Sequence, residues 1–538
     1  MSGVSDRITV VGGGVSAAHA ALTLLERGCA VDLWDVGRNE VAFPQPGATF
    51  HELKRRISRP DEYLLGRDLE ALIPPAVPEL LRYPPARRFL AAPDDPLWGF
   101  EADGFDPYVS FAKGGLANGW GANALVYDQD DMSEWPVSAA DMSSAYRTVC
   151  ERIPVAAPEN DDLSPHFRGL QPSQAPVALT DADRRIYDRY ARNRRTLNRA
   201  GVVMGRARLA VVTDSSRPDA CDRCDRCLWG CPRDAIYNPR VSTLAACEAY
   251  RNFRYLPGRM VLSHNARDGV IQGIRYVDTA TGAIREEPCR AAFLAAGALQ
   301  TGAIFLRTVA RAHSALSLET DGLMDTTVVK IPFLALGSMG RPADLRAFQF
   351  NRLMVGLTGD APPWPRYLHG ELLHLTSLVY HPLIERMPFD SRLSRRLFFT
   401  LKSALGVVTL FFPDRLAPAN RQVLGDPSCG SDRVRLCYRE TTEKEAYIRQ
   451  SVSRMRSALW RLGCIPQGAV RSPTGGGIHY AGTVPMGSGP MRCDANGRSN
   501  LFANLYIADG AAFPTLPSKS ITLSLAAHAT RVARAAKI

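Results

Sequence analysis

ITVVGGGVSAAHAALTLLERGCAVDLWD, residues Ile8–Asp35, decides the fold. A short β-rich run, Ile8–Val11, leads into Gly12-Gly13-Gly14-Val15-Ser16-Ala17. An apolar helical stretch follows to Arg27 and is ended by Gly28; Ala30–Trp34 reads as a second strand with Asp35 at its end. Strand, loop, helix, strand and acid in this order make the βαβ dinucleotide fingerprint, with Ala17 in the third glycine position. Gly12 and Gly14 let the backbone approach a pyrophosphate, and the helix start around Ser16 supplies N–H groups and the positive end of a dipole. Asp35 is placed to bind a ribose hydroxyl. Taken alone, the glycines could also form a tight structural turn.

The chain around this unit has 538 residues, enough for two or three domains or one composite enzyme. It is 46% hydrophobic and 22% charged, which is a soluble globular composition. The net charge of +11 fits an Arg-rich solvated surface, or else an anionic substrate or membrane surface. The basic residues are scattered and no recognition motif accompanies them, which argues against nucleic acid. The first strand begins at about Arg7 and leaves no room for an apolar leader, so the expected location is cytoplasmic. Twelve cysteines without such a leader do not read as a disulfide framework.

Two further glycine-rich stretches suggest backbone held against a ligand. Phe111–Tyr127, FAKGGLANGWGANALVY, contains Gly114, Gly115, Asn118 and Gly121; Pro473–Gly487, PTGGGIHYAGTVPMG, sets His479 after three glycines. An apolar run ending in Asp509-Gly510 follows. His51 and the run Lys54-Arg55-Arg56 read as solvated. Residues 181–208 look like a basic helix, and Glu443–Arg461 like an amphipathic surface helix. Leu397–Phe412, LFFTLKSALGVVTLFF, follows Arg395-Arg396 and is too short for a confident membrane span. As a helix it would be core or line an apolar channel; the alternative is a helix lying on a membrane surface through 395–412.

Cys221, Cys224, Cys227 and Cys231, followed by Pro232, repeat the C-x2-C-x2-C-x3-C-P spacing of bacterial ferredoxins. Three thiolates at that spacing can wrap one face of an iron–sulfur cluster. Bare thiols and a zinc site are the alternatives; zinc sites usually pair two knuckles across a longer spacer.

The opening loop, the Gly114–Gly121 block, Ala295-Ala296-Gly297-Ala298-Leu299 and His479-x-x-Gly482-Thr483-x-x-Met486-Gly487 stand in the order found in the glucose–methanol–choline (GMC) flavin oxidoreductases, which the chain resembles at both ends and in several internal blocks. The resemblance implies an α/β fold: a Rossmann-like FAD-binding domain with an interleaved substrate domain on an antiparallel sheet. On that pattern residues 1–130, 241–310 and 473–538 build the FAD-binding and catalytic part, 131–240 a cap with the Cys-rich segment, and 311–472 the substrate domain. It also implies that the backbone near Val261 meets the adenine, that Ala296-Gly297 approaches the dinucleotide and that Asp509-Gly510 meets the flavin.

The family's catalytic pair falls on His479 and, aligned on Thr522-Leu523, on Ser520, where an Asn or His is usual. Lys519 beside it would stabilise alkoxide if it pointed inward. No His lies in Phe111–Tyr127, so noncovalent FAD is expected. Some bacterial sugar dehydrogenases of this family hold a three-iron cluster in the corresponding region, which suggests a 3Fe-4S or 4Fe-4S cluster here and an external electron carrier as partner. The implied reaction is oxidation of a CH–OH group on a sugar, polyol or glycoside. An oxygen-using oxidase of an apolar alcohol, at the inner face of the membrane, and a non-redox flavin-binding lyase or isomerase are the alternatives.

Overall fold

The computed structural model describes residues 6–39, 49–69, 84–91, 95, 97, 99–313, 318–360, 364–375, 384, 387–425 and 433–538. The side chains of His51 and Lys54 lie outside the description, whereas Arg55 and Arg56 are exposed as expected.

Ile8–Val11 is the middle strand of a five-stranded parallel sheet, in the order Leu505–Ile507, Ala292–Leu294, Ile8–Val11, Val31–Trp34, Phe253–Leu256. Val10 pairs with Leu33 on one side and Phe293 on the other. Every residue of the first two strands is buried, as a parallel sheet covered on both faces requires. Helix Val15–Glu26 packs against the C-terminal helix Thr522–Ala535, which packs in turn on Ala139–Arg152. The alanines Ala17, Ala18, Ala20 and Ala21 are fully buried, so the first helix lies close to its strands. Ala17 thus has the packing role of the third glycine.

A seven-stranded sheet stands beside this unit. Its main path runs Cys464–Pro466, Thr327–Ala335, Leu405–Phe412, Tyr367–His374, Leu353–Thr358, Val202–Arg206, with Val470–Arg471 also paired to Thr327–Ala335. All its pairings are antiparallel. Side chains of a strand alternate between its faces. Val329, Ile331, Leu372, Val408 and Leu410 enter a core with Ile186, Tyr190, Tyr447 and Met455, from helices Asp181–Arg199 and Thr442–Arg461. The alternate residues Val328, Lys330, Glu371, Leu373, Val407, Thr409 and Phe411 line a cavity on the opposite face.

Two expectations about elements change. Residues 397–412 are not one helix: helix Ser391–Leu401 ends in a short turn at Lys402–Ala404, and Leu405–Phe412 is an interior strand of the large sheet. The strand half is apolar except for Thr409, and periodicity cannot tell such a short run from a buried helix. The basic helix in 181–208 stops at Arg199, where Gly201 turns with a positive φ into strand Val202–Arg206. Among the described residues no helix is long and apolar enough to cross a membrane.

Candidate active site

A cavity of about 450 Å³ lies between the parallel sheet and the large antiparallel sheet. At one end are Gly12, Gly13, Gly14, Ser16 and Asp35, with Val261 and its neighbours; at the other are His479 and the sheet residues just named. Gly114, Gly115, Gly121, Ala296, Gly297, Asp509, Gly510 and Ser520 line it between. Ala17 does not; it packs in the core behind the loop.

The glycines act through close approach and open space. A Cβ on Gly12 would sit 2.4 Å from the carbonyl oxygen of Ala295, and one on Gly13 would sit 1.9 Å from Asp35 Oδ2. A Cβ on Gly14 or Gly297 would meet nothing within 4 Å. Gly14 is the N-cap of helix Val15–Glu26 and makes no side-chain cap, so the first helical N–H groups are left for another acceptor. Gly114 N donates to Gly13 O at 3.0 Å, which ties the second glycine stretch to the first. Burial pushes Asp35 up to about 7, although the Tyr255 hydroxyl donates to its carboxylate at 3.0 Å. An uncapped helix start, open space at two glycines and a buried acid at the strand end fit the pyrophosphate and ribose of a dinucleotide.

Asp509 joins two of the implied segments. Its Oδ2 accepts from Gly297 N at 2.8 Å and Thr301 Oγ1 at 2.6 Å, and its Oδ1 from Ala511 N at 2.9 Å. Asn118 holds the loop from behind and is not among the cavity-lining residues. Its amide donates to Lys113 O at 3.0 Å and Gly115 O at 2.8 Å, and its oxygen accepts from Asn238 at 2.8 Å.

His479 faces the cavity from a clamped loop. Gly475 N donates to Asp325 Oδ2 at 2.8 Å. The Tyr480 hydroxyl donates to Gly475 O and accepts from Tyr108 N. A Cβ on Gly477 would lie 1.9 Å from Thr326 O. Ile478 has a φ of 62°, a left-handed conformation that a β-branched residue takes only when its surroundings impose it. The strain sits immediately before His479. Burial pulls the imidazole down to about 4, so it is neutral at ordinary pH, and its Nδ1 has no hydrogen-bond partner among the described residues. Phe411 stacks on it at 6.0 Å, and His369 stacks at 5.6 Å from the same Phe411 ring.

Sequence reading missed the polar part of the sheet face. Lys330, Thr409 and Glu371 lie in register on three adjacent strands. Asn123 Nδ2 donates to Glu371 Oε1 at 2.7 Å. Burial pushes Glu371 up to about 8 against the pull of Lys330 and also lowers Lys330. Once Tyr367–His374 is recognised as a strand, Glu371 stands out as its one carboxylate; nothing in the sequence says which face it takes.

Lys519 does not enter the site. Its ammonium donates to Asp128 Oδ2 at 2.9 Å, Asp131 Oδ2 at 2.5 Å and His166 O at 2.7 Å. These partners occupy all three of its donors, and only its neighbour Ser520 lines the cavity. His528 is buried elsewhere, against Ile507 O and Arg531.

The cysteine run is the second correction. Cys221 and Cys227 pack beside the main core, Cys224 bridges to Ala347, and Arg226 and Trp229 are buried within the run. Cys221 is pushed up to about 11, and Cys224 and Cys227 further, chiefly by burial. Burial thus disfavours the free thiolate at these three positions. Among the described residues no group of three or more His, Cys, Asp or Glu is arranged to hold a metal ion. The expected iron–sulfur site, and the zinc alternative, therefore find no support among the described residues.

Residues 436–529 match the GMC oxidoreductase family. The chain carries the carboxy-terminal domain of the GMC oxidoreductases. The matched segment runs from strand Val434–Cys437 of a small three-stranded sheet through the His479 loop into the closing helix. The whole chain has the fold of pyridoxine 4-oxidase from Mesorbium loti, at 16% identity and a TM-score of 0.60 over 98% of both chains. It is likewise similar to an FAD-dependent oxidoreductase from Chaetomium thermophilum, at 14% identity and a TM-score of 0.59 over 98% of both chains. No curated protein matches the sequence.

Proposed function

We propose that this GMC oxidoreductase binds FAD without a covalent link and oxidises a CH–OH group of a small-molecule alcohol, with His479 as the proton acceptor. The observation that carries the reading is the shared cavity: it runs from the uncapped glycine loop to an imidazole with an unpartnered Nδ1. Gly12–Ser16, Asp35, Val261 and the Gly114–Gly121 stretch would hold the dinucleotide, and Ala296-Gly297 and Asp509-Gly510 its flavin half. Bound FAD would supply the acceptor for the carbinol hydride and pass the electron pair to oxygen or an external carrier.

The remaining work falls to side chains. A neutral His479 can take the hydroxyl proton as the alcohol is oxidised. Phe411 stacks on the ring and fixes its orientation at the cavity wall. Ser520 lines the same space and can hydrogen-bond that oxygen, with less charge than the Lys519 considered from sequence. The apolar walls Val328, Leu373, Val407 and Phe411 exclude water around the reacting carbon.

Anaerobic holoprotein mixed with a panel of primary and secondary alcohols tests this reading. Bleaching of the flavin absorbance with formation of the matching carbonyl is expected, and oxygen uptake on readmitting air identifies an oxidase. Purified protein that carries no flavin, or a flavin that no alcohol bleaches, would contradict it.

A further inference from the structure

Strand Thr327–Ala335 ends and strand Leu405–Phe412 begins at the same edge of the large sheet, where Leu334 pairs with Leu405. Short backbone connections build the surface there. Leu336 N donates to Gly463 O at 3.1 Å, and Gly463 N to Trp460 O at 3.0 Å, which joins the turn Leu336–Ser338 to the end of helix Thr442–Arg461. Gly340 N donates to Thr400 O at 3.0 Å, and Ser403 Oγ to Ser338 O at 2.8 Å, which joins the same turn to helix Ser391–Leu401. On this linked backbone Leu336, Met339, Leu393, Phe399 and Trp460 are between 43% and 56% exposed. Apolar side chains scattered singly over a surface are ordinary, but a group of them marks a contact site.

Helix Ser391–Leu401, SRLSRRLFFTL, buries Ser394 and Phe398. Its outward side carries Arg392, Leu393, Arg395, Arg396 and Phe399, and the helix contains no acid. Arg392, Arg395, Arg396 and Phe399 stand at i, i+3, i+4 and i+7, which is one face of a helix. Phe399 meets Phe398 edge-on at 5.6 Å and still keeps half its surface exposed. Arg341 is exposed beside them, with its carbonyl accepting from Ser403 Oγ at 2.8 Å. Two carboxylates of this region are held by backbone. Asp390 caps the helix by accepting from Arg392 N and Leu393 N, and Asp344 accepts from Asp181 N.

A helix on a globular surface turns its charges outward and its apolar groups inward. This one turns both outward, beside an exposed tryptophan. Such a mixture suits a face that lies on anionic lipid: Leu and Phe enter the acyl boundary, arginine stems lie along it, and the guanidiniums meet phosphates. Tryptophan is enriched at that same depth. The charge of +11 on the whole chain draws it to such a surface from a distance. A second copy is the poorer occupant, because a two-fold contact sets the same patch, and hence the same arginines, against itself.

We propose that this surface docks the protein on an anionic membrane, with Leu393, Phe399 and Trp460 at the headgroup–acyl boundary and Arg392, Arg395 and Arg396 on lipid phosphates. The contact is peripheral, since the helix has 11 residues and a span needs about 20. Of residues 395–412 only the helical part takes part, because Leu405–Phe412 is interior to the sheet. The docking is independent of the reaction at His479.

Flotation of the full chain with vesicles tests it, using pure phosphatidylcholine against equal parts phosphatidylcholine and phosphatidylglycerol. The protein should float with the anionic vesicles alone, and less as salt rises from about 0.05 M to about 0.5 M, which shortens the screening length about threefold. Arg392→Gln with Arg395→Gln and Arg396→Gln should lower the partition coefficient about a hundredfold, and Leu393→Ser with Phe399→Ser about tenfold or more. All these positions are exposed, so the variants should keep the wild-type far-ultraviolet circular dichroism. Brominated acyl chains should quench part of the tryptophan emission of the unaltered arginine surface, and Trp460→Phe should remove that part. Binding that ignores lipid charge, or that the triple arginine variant retains, would overturn the inference. So would a lipid-free dimer that Phe399→Ser dissolves, which would make a second copy the occupant. Flotation is read without substrate, so its failure would leave the reaction at His479 standing.

Discussion

Lys519 and Ser520 are neighbours in the chain and have opposite duties. Ser520 lines the cavity, and Lys519 pins Asp128 and Asp131 on the far side. Lys519→Met leaves the part-buried Asp128 and Asp131 carboxylates without their cation, a loss on the order of 3 kcal/mol. We expect a lower unfolding midpoint in denaturant, with the flavin-bleaching rate of the folded protein retained. A bleaching rate that collapses at full stability would place Lys519 back in the chemistry. The place of His479 at a ligand-facing loop was legible because three glycines and the Gly-Thr-x-x-Met-Gly turn surround it. The direction of Lys519 was not, since it depends on Asp128 and Asp131, nearly four hundred residues earlier in the chain. Glu371 escaped for the same reason: a carboxylate in a strand declares neither its face nor its burial.

Helix Val15–Glu26 with its glycine loop is the element on which the proposed cofactor binding turns. Gly14 has an ordinary negative φ, and an added Cβ meets nothing within 4 Å. Gly14→Val should therefore fold normally while filling the space offered to a pyrophosphate. The expected product has wild-type far-ultraviolet circular dichroism and little or no bound flavin; full flavin content would show that the ligand does not use this loop. The loop could be read from sequence because strand, turn, helix and acid are all local. Leu397–Phe412 could not, because its helical first third and its strand share one apolar composition. The boundary at Lys402–Ala404 is fixed by pairing with Thr327–Ala335 and Tyr367–His374. The cysteine run shows the limit of spacing: it matched a ferredoxin pattern, but no metal-holding group is found among the described residues, and Arg226 and Trp229 are packed within the run.

At the scale of the molecule, one parallel sheet gathers strands from residue 8 to residue 507, so both ends of the chain meet at one cavity. Sequence order implied that meeting, but the antiparallel sheet supplies the chamber wall, and its long-range pairings left little local signal. The buried ionisable groups give the apoprotein a defined pH response. Burial raises Glu371 and Asp325 to about 8 and Asp35 to about 7. Their stabilisation is complete below the usual carboxylate range and is lost as pH rises through those values. Burial lowers His264 and His479 to about 4, and His369 to about 3; their contribution is lost in the other direction, as pH falls below about 6.5. The two sets oppose each other in mild acid, and the lowered histidines no longer contribute to the slope above neutrality. The thermal midpoint of the apoprotein should thus fall between about pH 7 and 8.5, by about 1 °C per pH unit for each excess proton held. Glu371→Gln should flatten that slope, and a midpoint that rises over this range would contradict the buried, protonated carboxyls. The central claim is that His479 takes the substrate proton, and single-turnover anaerobic bleaching of His479→Gln beside the wild type tests it most directly. The account predicts bound flavin with an unchanged spectrum and a bleaching rate lower by about a hundredfold or more; bleaching at the wild-type rate would contradict it.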